Sequence, residues 1–578
     1  MKYPQLRAME ASRQTVDIFK GYNHNLRIGE GEFFDMKNMT SDYYPVLSPR
    51  GKRGVYASPT APNGLIAKDA LCYVDGSAFV INEYRVDMEL SDTPKQLVSM
   101  GAYVVIWPDK KYINTADLSD YGDLEAEKET NDDVSFKLCK VDGTEYGEIP
   151  VSNVEPADPT NGDLWIDSST ENHVLKQYSS SSSLRWIQIA TTYVRIEYPG
   201  IGKLFNQYDG ISLSGITVAA HLNGTAVIQD KGDDYIVIIG LLDKAVTQKA
   251  EDGKITIARR VPEMDFITEC GNRLWGCRYG LSADEKVVNE IYACKLGDIK
   301  NWNCFMGLAT DSYAASCGTD GKFTGAITHL GYPLFFKENC VHKVYGNYPA
   351  NFQIQTTACR GVQDGCDRSL AIVNETLFYK SRSAVCAYDG SLPAEVSYAL
   401  GNDVYGEAVG GSHGNKYYIS MRDLNGEYHL FVYDIAKGMW HKEDDLHVDF
   451  FCSCRGEMYA VSEGKIITML GSGTKDTEMV AWRAETGEIG ISSPDMKYTS
   501  RINIRMAMEI GAEIRIYAQY DFSDEWELVW VLRCTNLRSF SIPIRPKRCD
   551  FMRLRLEGEG DVKVYSITKT VEQGSDVR

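Results

Sequence analysis

Seven short stretches constrain this chain more than anything else in it. They are KDALCYVD (68–75), MGAYVVIW (100–107), CGNRLWGC (270–277), LGYPLFFK (330–337), VNETLFYK (373–380), HGNKYYIS (413–420) and CRGEMYAV (454–461). Each has a small or polar turn residue within its first three positions and runs into an apolar, aromatic-rich segment of the kind that fits a buried strand. Turn markers stand at Gly271, Gly331, Asn374, Gly414 and Gly456, and the last four are 43, 40 and 42 residues apart. A strand-and-turn period of this size matches a four-stranded propeller blade. The spacing predicts an all-β chain whose body is a β-propeller of six to eight blades.

A chain of 578 residues is too long for one core. Residues 1–54 are rich in Gly, Asn, Asp and Pro and read as an extended arm that crosses the scaffold or reaches a neighbour. The propeller is expected in two pieces, 55–120 and 263–475. LCYVDGSAFVIN (71–82) is its clearest hairpin, turning at Asp75-Gly76. Between the two pieces, 121–262 reads as one or two inserted β domains. Its signs are a hairpin turning at Gly232-Asp233 and a serine run from Ser179 to Ser183. Residues 480–578 hold six alternating segments with short polar turns, the pattern of a jelly-roll-like β-sandwich. Pro543 and Pro546 place their strand at an edge.

Charge and cysteine use exclude several classes. The net charge is −19, yet 481–578 balances 15 Lys+Arg against 15 Asp+Glu, so the acidity lies in 1–480. A sequence-specific nucleic-acid binder would carry a basic patch instead. The 15 cysteines form no paired CxxC set. Cys452 and Cys454 share a strand face, but no second pair joins them to complete a metal site, so reduced thiols are expected. The start MKYPQLRAME lacks the apolar core of a signal peptide, and no run of 18 apolar residues exists. Neither secretion by that route nor a membrane span is expected.

Catalytic motifs are absent. There is no Walker loop, no GxGxxG and no HExxH. Asp132-Asp133, Asp233-Asp234 and Asp444-Asp445 lie in turn-like contexts, where Asp stabilises local geometry. No cofactor or metal is therefore expected. Two groups of residues suit binding. Arg501 and Arg505 share one strand face, as do Arg553 and Arg555, in a domain with 11 Arg against 4 Lys. Such faces suit either solvent or bidentate pairing at an oligomer or partner interface. Trp165, Trp186, Trp526 and Trp530 are the candidate platforms for a glycan, since one side of such rings is apolar and the other can be wet.

The segment GYNHNLRIGEGEFFDMKNMTSDYYPVLSPRGKR (21–53) carries a motif in Asn38, Thr40, Asp42, Pro45, Leu47 and Arg50. This opening resembles that of β-propeller virion proteins of tailed bacteriophages, of the tail-hub or packaged-DNA stabilisation type. The resemblance implies a non-enzymatic structural component in the tail or head-tail neck, made in the bacterial host cytoplasm. It also implies a symmetric homo-oligomer with other tail or neck proteins as partners. A tail-tip protein recognising a host surface glycan is the alternative, and a polysaccharide-acting enzyme is a weaker one.

Overall fold

The computed structural model describes residues 11–282, 285–472, 479–492, 496–521, 523–533 and 536–573. The chain is all-β, with one four-residue α-helix, Ile201–Leu204, among the described residues. It divides into two compact units. One comprises the chain up to 95, 336–341 and everything from 357 on; the other comprises 96–335 and 342–356. The first ten residues of the expected arm and most of the boundary expected at 475–480 lie outside the described residues.

The body is built of four-stranded antiparallel meanders, seven of them among the described residues. In the first unit these are 62–87, 371–395, 405–442 and 450–468, the last completed by the strand Gly54–Ala57 from the N-terminal segment. There the first strands neighbour one another in the order Ala371–Val373, Tyr405–His413, Phe450–Cys454, Pro62–Lys68. The second unit holds 96–123, 266–316 and most of 325–358, whose first strands also stand side by side. Meanders stacked through their first strands are the blades of a propeller.

The repeat read in the sequence is the hairpin between the first and second strands of each meander. Leu330 and Gly331 have φ of 51° and 79°, and Arg455 and Gly456 have 50° and 81°. Two successive left-handed residues make the tight turn whose twist matches the flanking strands. Glycine supplies the second position at no steric cost. The strand that follows is buried on both faces, as in Tyr332–Lys337, and so is apolar throughout rather than alternating.

The insert in the second unit leaves and returns through one ladder, Ala126–Glu129 against Thr256–Arg259. Paired ends let a β domain enter a loop without disturbing the meanders around it. Its core is formed by Phe136, Val194, Ile196, Phe205, Ile211, Ile236 and Ile257. At its root the Arg259 guanidinium meets Asp209 at 2.6 Å, both side chains buried.

The N-terminal segment differs from the expected arm. From residue 11 on it is woven into the sheets. Ala11–Val16 pairs with Val562–Gln573, Glu32–Lys37 with Ala481–Thr486, and Gly54–Ala57 with Lys465–Thr468. Its strands pair, and its apolar side chains Phe19, Phe33 and Met36 are buried, inside the same chain, so they are not available to a neighbour. The C-terminal sandwich is thus completed by N-terminal strands. One of its sheets runs in the order Ala11–Val16, Val562–Gln573, Lys497–Met508, Arg538–Ile542. The other contains Glu32–Lys37, Ala481–Thr486, Met552–Glu559, Glu513–Tyr520 and Glu527–Leu532. Arg538–Ile542 is an edge strand with Pro543 just beyond it.

Candidate functional site

The four arginines singled out in the sequence do not form one surface. Along Lys497–Met508 the buried positions Ile502, Ile504 and Met506 alternate with exposed Arg501 and Arg505. Along Met552–Glu559, Leu554 and Leu556 alternate with Arg553 and Arg555. The strands belong to different sheets of the sandwich, so the two pairs point away from each other across the core. Arg553 and Arg555 are also engaged inside the chain. The Arg553 guanidinium lies 4.7 Å from the Phe34 ring, and that of Arg555 lies 4.1 Å from Trp526. Arg555 Nε stands 2.8 Å from a Glu485 carboxylate oxygen. Burial pushes the Glu485 carboxyl above its usual range, and Arg555 pulls the other way. Arg555→Met should therefore cost about 1–2 kcal/mol, the worth of a charged contact plus a ring contact. Denaturant melting of the isolated protein measures it. Unchanged stability would mean that Arg555 serves an outside partner instead.

The tryptophans also differ from their expected role. Trp165 and Trp186 are buried against each other, ring centroids 5.3 Å apart, with Lys176 over Trp165. They are buried in the small 151–188 sheet and offer no open face to a sugar. Trp526 is covered by Arg555, and Trp530 meets the Phe540 ring edge-on at 6.3 Å.

The N-terminal motif has a structural job. Asn38 donates from Nδ2 to the Ala481 carbonyl and accepts from Arg50 Nε. Thr40 donates to Asp42, which Lys416 Nζ holds at 2.6 Å. Leu47 is buried beside Val564. Arg50 and Arg53 reach Glu443 and Asp444. The motif is a polar clamp that fastens the N-terminal segment to the 405–442 meander and the sandwich.

A groove in the first unit brings together residues with chemical capacity. Its volume is about 410 Å³, and Lys380, Arg382, Glu395, Ser397, Asp403 and Tyr405 are among its lining residues. The strand Thr376–Lys380, last of the aromatic stretch VNETLFYK, delivers Lys380 to it. The turn Tyr398–Leu400 and the following loop deliver Asp403. Gly401 fits this turn for two reasons: its φ is +79°, and a Cβ there would stand 2.7 Å from the His24 carbonyl oxygen.

Electrostatics in the groove are uneven. Glu395 is held at 3.0 Å by Arg360. Asp403 accepts from the Tyr405 hydroxyl at 3.5 Å and has His24 Nε2 at 3.9 Å. His24 is fixed by a 2.8 Å contact from Nδ1 to the Phe34 carbonyl and by stacking on the Phe34 ring, whose other neighbours include Arg553. Burial, with help from Asp403, pushes the Tyr405 hydroxyl well above its usual range, so it stays a donor. Lys380 is the outlier. It is buried, and its ammonium donates to Gln363 Oε1 at 2.9 Å and to the Ser381 carbonyl at 2.5 Å, both neutral. Among the described residues no carboxylate pairs with it. Burial lowers its pKa, against a small opposing pull from the Cys366 and Cys386 thiols.

A larger groove, about 820 Å³, lies on the insert beside Lys137, Glu145, Tyr146 and Leu242. There Lys137 is matched by Glu145 and Glu197, and Glu145 also lies 3.9 Å from Arg195. No group of His, Cys, Asp or Glu among the described residues has the geometry to hold a metal ion. No described helix is long and apolar enough to cross a membrane.

No family model and no curated protein matches the chain. Solved structures do. The exo-β-1,3-galactanase of Phanerochaete chrysosporium, with β-1,3-galactotriose, is 8% identical over 53% of this chain and 95% of that one, with a TM-score of 0.20. A GH43 glycoside hydrolase engineered for endo-xylanase and exo-arabinofuranosidase activity is 9% identical over 54% and 97%, with a TM-score of 0.19. The Trypanosoma rangeli sialidase with the inhibitor DANA is 7% identical over 66% and 89%, with a TM-score of 0.24. The expectation of a non-enzymatic structural virion component is corrected here: the three matches just described are carbohydrate-acting enzymes, and a puromycin hydrolase stands beside them. Scores this low assign no residue a role, so the chemistry has to be argued from the groove itself.

Proposed function

We propose that this chain acts on a carbohydrate in the groove at Lys380, Glu395, Asp403 and Tyr405, and that the reaction is hydrolysis of a glycosidic bond. One observation carries the reading: a cavity of about 410 Å³ that holds two carboxylates and a tyrosine hydroxyl beside a buried amine. That volume suits a small sugar rather than a protein segment. Glycoside hydrolysis needs two carboxyl groups, one to protonate the leaving oxygen and one to activate water or attack the sugar. Glu395, oriented by Arg360, is assigned the attacking or base role. Asp403, which no arginine among the described residues holds ionised, is assigned the proton-donor role.

The test is turnover on a panel of neutral and acidic oligosaccharides. Asp403→Asn and Glu395→Gln should each lower the rate at least about 100-fold with melting temperature unchanged. Full activity in either variant, or no turnover by the native chain on any member of the panel, would sink the reading.

A further inference from the structure

We propose that the sugar taken by this groove carries a carboxylate, and that Lys380 is the residue that recognises it. The inference rests on the carbohydrate reading above and names the substrate class. A buried ammonium has three N–H donors and a full charge to satisfy. Lys380 spends two donors on neutral oxygens, those of Gln363 and Ser381. No carboxylate among the described residues answers the charge, although the side chain lines a cavity. Stranding a cation in this way is costly unless an anion arrives to pair with it.

The groove's other charges are largely accounted for within the chain. Glu395 is taken by Arg360 at 3.0 Å, and Arg382 is largely exposed to water, with Glu338 at 4.0 Å, so its charge carries no burial cost. Asp403 has Tyr405 and His24. What remains buried is one positive centre with one N–H to give. That matches a monoanionic carboxylate. A phosphate or sulfate ester is a poorer fit, because its extra oxygens would find one donor and two neighbouring carboxylates. The nearby hydroxyls of Ser397 and Tyr405 and the Asp403 carboxylate leave the rest of the ligand a polyol's partners. A uronic or other sugar acid meets both demands. Neutral sugars leave the Lys380 charge unanswered.

Calorimetric titration of the full chain decides it, using matched neutral and uronic disaccharides in the gluco, galacto and manno series, with acetate as a carboxylate that is not a sugar. In the native chain at least one uronic disaccharide should bind 10-fold or more tighter than its neutral partner. In Lys380→Met that ratio should fall below twofold, while Arg382→Ala should keep it above fivefold. Thermal melting confirms that both variants fold. Equal affinity for acid and neutral partners, or a preference that survives Lys380→Met, overturns the inference and leaves the carbohydrate reading standing. Acetate binding that depends on Lys380, without any sugar binding, overturns the carbohydrate reading, and the named substrate class with it, leaving only a carboxylate site. No binding by any probe overturns both.

Discussion

Arg53→Met should destabilise the closing meander by about 3–5 kcal/mol, the cost of removing one partner from a buried ion cluster. Arg53 meets Glu443 and Asp444, each at 2.6 Å, and all three side chains are largely shielded from water. Arg50 adds contacts of 3.8 and 3.3 Å to the same two carboxylates. Without Arg53, two carboxylates in a shielded site share one cation. The damage is not local, because Arg53 immediately precedes Gly54–Ala57, the strand that completes the 450–468 sheet. Hydrogen exchange on the amides of Lys465–Thr468 reads the opening free energy directly. The matched control is Lys254→Met, whose partner Glu129 is exposed. That pair should be worth well under 1 kcal/mol. A loss below about 1 kcal/mol at Arg53 would mean that the clamp is decoration on an independently stable sheet.

Acid should weaken the same region well before its carboxylates titrate, and His441 should be the cause. His441 is buried in the strand Met439–Lys442, and neither ring nitrogen has a hydrogen-bond partner among the described residues. Burial pushes its pKa down from 6.5 to about 3, and Lys416 adds to the push. Lys437 acts the same way, while Asp42 and Asp434 oppose it. The folded chain therefore holds the imidazole neutral, and the unfolded chain takes up a proton first. Stability from this group is complete above pH 6.5 and is lost as pH falls toward 3. The loss should reach roughly 3 kcal/mol by pH 4.5. Asp42, Asp434 and Asp445 have carboxyls held below their usual 3.8 despite desolvation, by lysines among other partners, so their contribution disappears only at lower pH. Denaturant melting across pH 4.5–7 measures the slope. His441→Leu should flatten it and should not reduce stability at pH 7, because two orphaned polar atoms are removed. A slope that persists in this variant would assign the acid response to other groups.

Much of the fold was legible because it is written in local pattern. The turn markers Gly271, Gly331, Asn374, Gly414 and Gly456 all have positive φ, and each sits at the head of a buried second strand. The alternation of Ile502, Ile504 and Met506 with polar neighbours announced the sandwich. The N-terminal segment was not legible. Ala11 pairs with Glu572, a partner that no local window contains. Gly, Asn and Pro in 19–54 read as an arm when their turns in fact steer strands into distant sheets. The tryptophans misled for a related reason. Leu164–Asp167 is only four residues long, too short for alternation to say which way Trp165 faces. The groove was hidden in plain view. Lys380 closes one of the seven defining stretches, but its meaning comes from Gln363, Glu395 and Asp403 around it, and spacing in sequence cannot place these together.

The most direct test of the account is a crystal structure of the full chain soaked with the tightest-binding disaccharide. The account predicts sugar density in the groove, with a carboxylate within hydrogen-bond distance of Lys380 Nζ and the glycosidic oxygen facing Asp403. Sugar bound instead beside Tyr146 and Leu242 on the insert, with the Lys380 groove empty, would contradict it.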